Sequence, residues 1–71
     1  MDKAQFVNAL GQLLSQTDFG IKGARYEYGG YDETAIVEFW NGQEHVVHIG
    51  GDSNAMIISD VLRSLEAHIG Y

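Results

Sequence analysis

The stretch Thr34–Ile49, TAIVEFWNGQEHVVHI, constrains this chain more than any other part of it. Runs of β-branched and aromatic residues flank Asn41-Gly42, a dipeptide that readily takes the positive φ angles of a tight turn, so the stretch reads as a β-hairpin. Its register decides which side chains face a core, because a one-residue slip exchanges the two faces of a strand. A two-residue turn at Asn41-Gly42 pairs Val37 with Val46 and Glu38 with His45, but sets Glu44 and His48 on the face of Phe39. A three-residue turn through Trp40, Asn41 and Gly42, with Gly42 in the left-handed bulge position, gathers Ala35, Val37, Phe39, Val47 and Ile49 on one face. The second is preferred, although it sets Glu38 opposite Glu44, a like-charge pair that must be spread or neutralised.

Helices flank the hairpin region. Asp2 followed by Gln5 has capping-box spacing, and Phe6, Val7, Leu10, Leu13 and Leu14 then recur as an inward helical stripe. Gly11 sits inside that helix, either permitting close backbone approach or carrying no role. Asp18, Gly20 and Gly23 end the helix, leaving Phe19 and Ile21 to tuck over the core from a loop. Ala24–Tyr28 alternates as a first strand, and Gly29–Glu33 turns into Thr34. After Gly50-Gly51, Asp52 or Ser53 caps a second helix whose inward stripe is Ile58, Val61, Leu62, Leu65 and Ile69, with Gly70 as its stop and Met56 on the opposite side. The expected fold is a single α+β domain over residues 1–71, ordered α-β-β-β-α: a three-stranded antiparallel sheet with both helices on one face.

That arrangement leaves one sheet face open. It carries Ile36, Glu38, Trp40, Glu44, Val46 and His48, and Ile36, Trp40 and Val46 form a candidate contact patch. Ten acidic residues against four basic ones give a formal charge of −6, which opposes phosphate backbones and anionic membranes. Solubility explains much of that charge, but Glu27, Asp32, Glu33, Glu38 and Glu44 cluster in and between the strands, where a basic partner is suited. With no cysteine in the sequence, neither disulfides nor thiolate metal sites stabilise a domain that buries only about 60% of its unfolded surface, so oligomerisation is one route to stability. No window approaches the roughly 18 apolar residues of a membrane span and no signal peptide is evident, so a cytoplasmic protein is expected.

The order of elements resembles the double-stranded RNA-binding domain fold. That family clamps phosphates with lysines at the start of its last helix, whereas Gly51-Asp52-Ser53-Asn54-Ala55-Met56 has no cation. Direct nucleic-acid binding is therefore not expected. A second resemblance covers about half the chain: Val37–Gly42, Val46–Ile49, Gly51-Asp52-Ser53 and Ala55-Met56-Ile57-Ile58-Ser59-Asp60-Val61 are similar to small uncharacterised proteins encoded by phages and prophages of Gram-positive bacteria. It implies a mobile-element origin and brings no catalytic residues. In general character, small, acidic and cofactor-free, the chain resembles anti-CRISPR and other counter-defence inhibitors.

Chemistry is thinly represented. His45 and His48 point to opposite faces of a strand, so no single metal is expected to join them. Ser15, Ser53, Ser59 and Ser64 stand in no nucleophile elbow. The expectation is a non-enzymatic protein without cofactor or metal that binds a host or phage protein stoichiometrically. Glu27, Asp32, Glu33, Glu38 and Glu44 supply electrostatic steering, with Trp40, Tyr26 and Met56 as anchors. The alternatives are a self-associating structural protein, a homodimer among them, built through the open face or a strand edge, and a small-ligand or nucleotide sponge.

Overall fold

A computed structural model describes residues 2–50 and 53–69. The elements are α1 (Lys3–Leu14), β1 (Ile21–Gly29), β2 (Asp32–Phe39), β3 (Glu44–His48) and α2 (Asn54–Ile69). The strands form one antiparallel sheet in the order β1-β2-β3, and both helices pack on the same face of it. Val7 and Leu14 of α1, Ala24, Ala35, Val37 and Val47 of the strands, and Ile57, Val61 and Leu65 of α2 make one buried cluster.

The hairpin adopts the three-residue turn. Phe39 N–H donates to Gln43 O at 2.9 Å, Gly42 N–H donates to Phe39 O at 3.0 Å, and Gly42 takes φ +91°. Ala35 therefore pairs with Val47, Val37 with His45, and Glu38 with Glu44. At the N-terminus the Asp2 carboxylate accepts from Gln5 N–H at 2.8 Å while Gln5 Oε1 accepts from Asp2 N–H at 3.1 Å, the reciprocal capping box.

Gly11 has a defined role. A Cβ placed there would lie 2.2 Å from the backbone nitrogen of Ala24, so its missing side chain is what lets α1 settle onto β1. The first strand begins at Ile21, earlier than the alternation from Ala24 implies. A bulge between Ile21 and Gly23 returns Ile21 to the core side, three residues from Ala24 where strict alternation would separate them.

The inward faces of both helices differ in part from the expected stripes. In α2 the core residues are Ile57, Val61 and Leu65, while Ile58 and Leu62 remain over a third exposed; Val61 and Leu65 keep their expected places, and the inward face is turned by about half the angle between successive residues, roughly 50–60°. Polar contacts set that rotation. His45 Nε2 lies 2.6 Å from Ser64 Oγ, the His45 ring stacks on His68 at 4.4 Å between centroids, and Asp60 accepts from Gly50 N–H at 3.1 Å. In α1, Leu13 is 66% exposed because Gly11 must face the sheet. Ser53 caps α2, its hydroxyl accepting from Met56 N–H at 3.2 Å; Gly51, Asp52, Gly70 and the side chain of Ile69 lie outside the described residues.

Two stability measurements test this packing. Gly11→Ala would gain about 1 kcal/mol of helix propensity, but overlap with the Ala24 backbone is expected to reverse the sign, for a net loss of about 1–3 kcal/mol in urea denaturation. His45 is held below its usual value of 6.5 by burial and then by the His68 charge, so the neutral ring favours the fold. Stability from this group is complete above the unfolded value and is lost as pH falls through it toward the lowered one. The thermal midpoint should decline on acidification from about pH 7.5 to about pH 5.5, and less so in His45→Phe.

Candidate functional site

The sheet face opposite the helices is ordered in cross-strand rows. Gly23, Glu38 and Glu44 form one, Arg25, Ile36 and Val46 the next, and Glu27, Thr34 and His48 the last. Trp40 stands beyond the first row, in the turn. Its backbone N–H donates to Gly20 O at 3.0 Å, tying the turn to the segment before β1, while its ring is 69% exposed with the Lys22 ammonium 6.0 Å from its centroid.

Arg25 resolves the clash between Glu38 and Glu44. One guanidinium nitrogen donates to Glu38 Oε1 and to Glu44 Oε2, both at 2.9 Å, and Nε donates to Glu27 Oε2 at 3.1 Å. Hydrogen bonds to Glu44, Glu27 and Glu38, in that order, raise the affinity of Arg25 for its proton. Three carboxylates share one guanidinium, so the cluster keeps a net negative charge. All three are partly or well exposed, which makes the pairs modest in energy and screened by salt. Their larger effect is to order the face.

Ile36 departs from the expected exposed patch. It is 6% exposed because it lies mid-face on the central strand, between Arg25 and Val46 in register, and it stands outside the main core cluster. The Glu38–Glu44 row separates Trp40 from Val46, so Ile36, Trp40 and Val46 do not form one continuous apolar surface. Val46 is half-exposed, and His48 is exposed at the far row.

The other candidate residues are distributed around the molecule. Tyr26 shares the helix-side face, packs on the core, and donates its hydroxyl to Glu33 Oε1 at 2.6 Å. Lys3 donates to both oxygens of Glu33, at 2.8 and 3.0 Å, clasping α1 to the start of β2. Lys3 and then Tyr26 hold the Glu33 carboxyl below its usual range, and the same hydrogen bond holds the Tyr26 hydroxyl above its own. Asp32 is exposed at the β1–β2 turn. Met56 is half-exposed on α2, in the other layer. Sequence reasoning passed over Tyr28 and Tyr31, which stand exposed on either side of Gly29-Gly30, Tyr31 completely so. The signal was Tyr-Gly-Gly-Tyr itself, since aromatics beside a glycine turn tip have no core to enter.

A shallow depression of about 270 Å³ lies between α1 and the rim of β1, lined by Asn8, Gln12, Lys22–Arg25 and Glu38. It falls just short of the usual size of small-ligand pockets, about 300 Å³ upward. Among the described residues no group of three or more histidine and acidic side chains is placed to hold a metal ion, and no helix is long and apolar enough to cross a membrane. No family model, curated protein or solved structure matches the chain.

Removing the shared counter-ion tests the Arg25 cluster. Arg25→Gln should lower the urea midpoint at low ionic strength, by an amount that shrinks in molar salt. Adding Glu38→Gln to that variant should restore part of the loss by removing one member of the opposed pair.

Proposed function

We propose that the protein acts without catalysis, by stoichiometric binding of another protein through the open sheet face and the turns at its two ends. The observation that carries this reading is that no described element covers that face, which presents Val46, Trp40 and an excess of carboxylate over guanidinium. An acidic surface with an exposed aromatic at its margin suits a partner with a basic surface: charge steers the encounter and the aromatic supplies buried area. Lys3 neutralises Glu33 one to one and the Tyr26 hydroxyl bonds to it, so steering falls to Asp32 and to the net negative charge left where Glu27, Glu38 and Glu44 share Arg25. The resemblance to phage- and prophage-encoded proteins extends the proposal to a host target inside the bacterial cell, such as the nucleic-acid channel of a defence nuclease, with counter-defence inhibition as the outcome.

Capture from host lysate on the immobilised protein tests this, with Trp40→Ala and the double variant Glu27→Lys, Asp32→Lys run alongside. A specific partner should bind the original chain and lose affinity by about tenfold or more to each variant, with the electrostatic part weakening in salt. Equal retention of the same protein by both variants overturns the reading.

A further inference from the structure

β3 is an edge strand, and the hydrogen-bond alternation fixes which of its backbone groups remain free. Phe39 N–H donates to Gln43 O at 2.9 Å, and Ile49 N–H donates to Glu33 O at 3.0 Å, so the odd-numbered residues of this segment face β2. Glu44, Val46 and His48 therefore point their N–H and C=O groups outward. Among the described residues nothing bonds to them from that side. Beside this edge runs the flank of α2 that carries Asp60 and Arg63. Asp60 reaches Gly50 and Ser64 reaches His45, so this flank stands over the β3 edge, while Val47 on the helix side of β3 joins Ile57, Val61 and Leu65 in the core.

We propose that this combined edge, β3 together with the Asp60–Arg63 flank of α2, is a two-fold interface with a second copy of this chain. Only outward-facing residues can exchange hydrogen bonds across an antiparallel two-fold, and centring the pair on Val46 uses all of them. Val46 then faces its own copy, and Glu44 faces His48 twice, an acid opposite an imidazole on both sides of the axis. A register centred on Glu44 would instead oppose two carboxylates and leave Val46 and His48 without partners. Glu44 bonds to Arg25 through Oε2, which leaves Oε1 for the new contact.

The helical layer agrees with the same axis. Val46 lies between His45, level with Ser64, and Gly50, level with Asp60, so the axis crosses α2 between residues 60 and 64. The two copies of α2 run antiparallel there, and Asp60 of each meets Arg63 of the other. Arg63 suits that role: among the described residues it reaches only Ser59 Oγ, at 3.4 Å, whereas Lys3 and Arg25 are paired with carboxylates. The product is a continuous six-stranded sheet. Its open faces remain free, so this inference and heterologous protein binding stand or fall separately.

Sedimentation of the full chain across a concentration series tests it, with folding of each variant followed by circular dichroism. The original chain should shift from monomer to dimer by high micromolar concentration. Val46→Pro removes an outward N–H at a position compatible with an edge proline and should abolish the dimer while keeping the intramolecular ladder. R63D sets two acids against each other and should raise the dissociation constant by about tenfold or more, and D60R added to R63D should restore it. Mixing the D60R and R63D single variants should give a heterodimer stronger than either homodimer. Should Val46→Pro not fold, R63D decides alone, since Arg63 is exposed on the helix, whereas D60R also removes the Asp60–Gly50 bond. A chain that stays monomeric at every concentration overturns the proposal, and so does a dimer whose dissociation constant is unchanged by R63D.

Discussion

The bond between Phe39 and Gln43, closed around Gly42 at φ +91°, sets the parity of the molecule. Once three residues occupy that turn, every position along β2 and β3 is assigned to the helix side or the open side, and every backbone group on β3 points inward or outward. Val37, Val47 and Ala35 enter the core for this reason, His45 turns toward α2, and Glu38 is left opposite Glu44. A two-residue turn would have placed Glu44 and His48 beneath the helices. The hydrophobic cost of that alternative exceeds the like-charge penalty of the register found, since an exposed ion cluster is cheap to rearrange and a buried carboxylate is not.

Electrostatics then answers the problem that topology creates. Arg25 is brought beside Glu38 and Glu44 by a register no local rule announces, and Lys3 reaches across from α1 to Glu33. The acidic clustering along the strands therefore consists of two compensated sites plus residual negative charge. The open face is an ordered, moderately acidic sheet, with Trp40 at one end and Tyr28 and Tyr31 at the other.

Local chemistry was readable from residues alone: the capping box of Asp2 and Gln5, the Asn-Gly turn, the order of elements and the odd-even faces of the hairpin. The errors came where a distant contact arbitrates. Met56-Ile57-Ile58 is apolar at three successive positions, so periodicity could not say which residue points inward; Ser64 against His45 and Asp60 against Gly50 decide for Ile57. The start of β1 was hidden because the bulge at Lys22 breaks alternation where it would have revealed the strand. Leu13 matched the helical stripe, but the close approach of Gly11 to Ala24 rotates it outward. Tyr26 and Met56 resemble Trp40 in size, yet Tyr26 lies on the helix-side face of the sheet and Met56 on α2.

Trp40 is the sole tryptophan in the sequence, and it sits on the turn with Lys22 alongside instead of within the core. Its emission accordingly begins from a solvated, red-shifted state and changes little when the interior melts. The indole is a poor thermometer of folding and a good optical probe of whatever docks on that end of the sheet, with a blue shift and protection from iodide quenching as the readable signs.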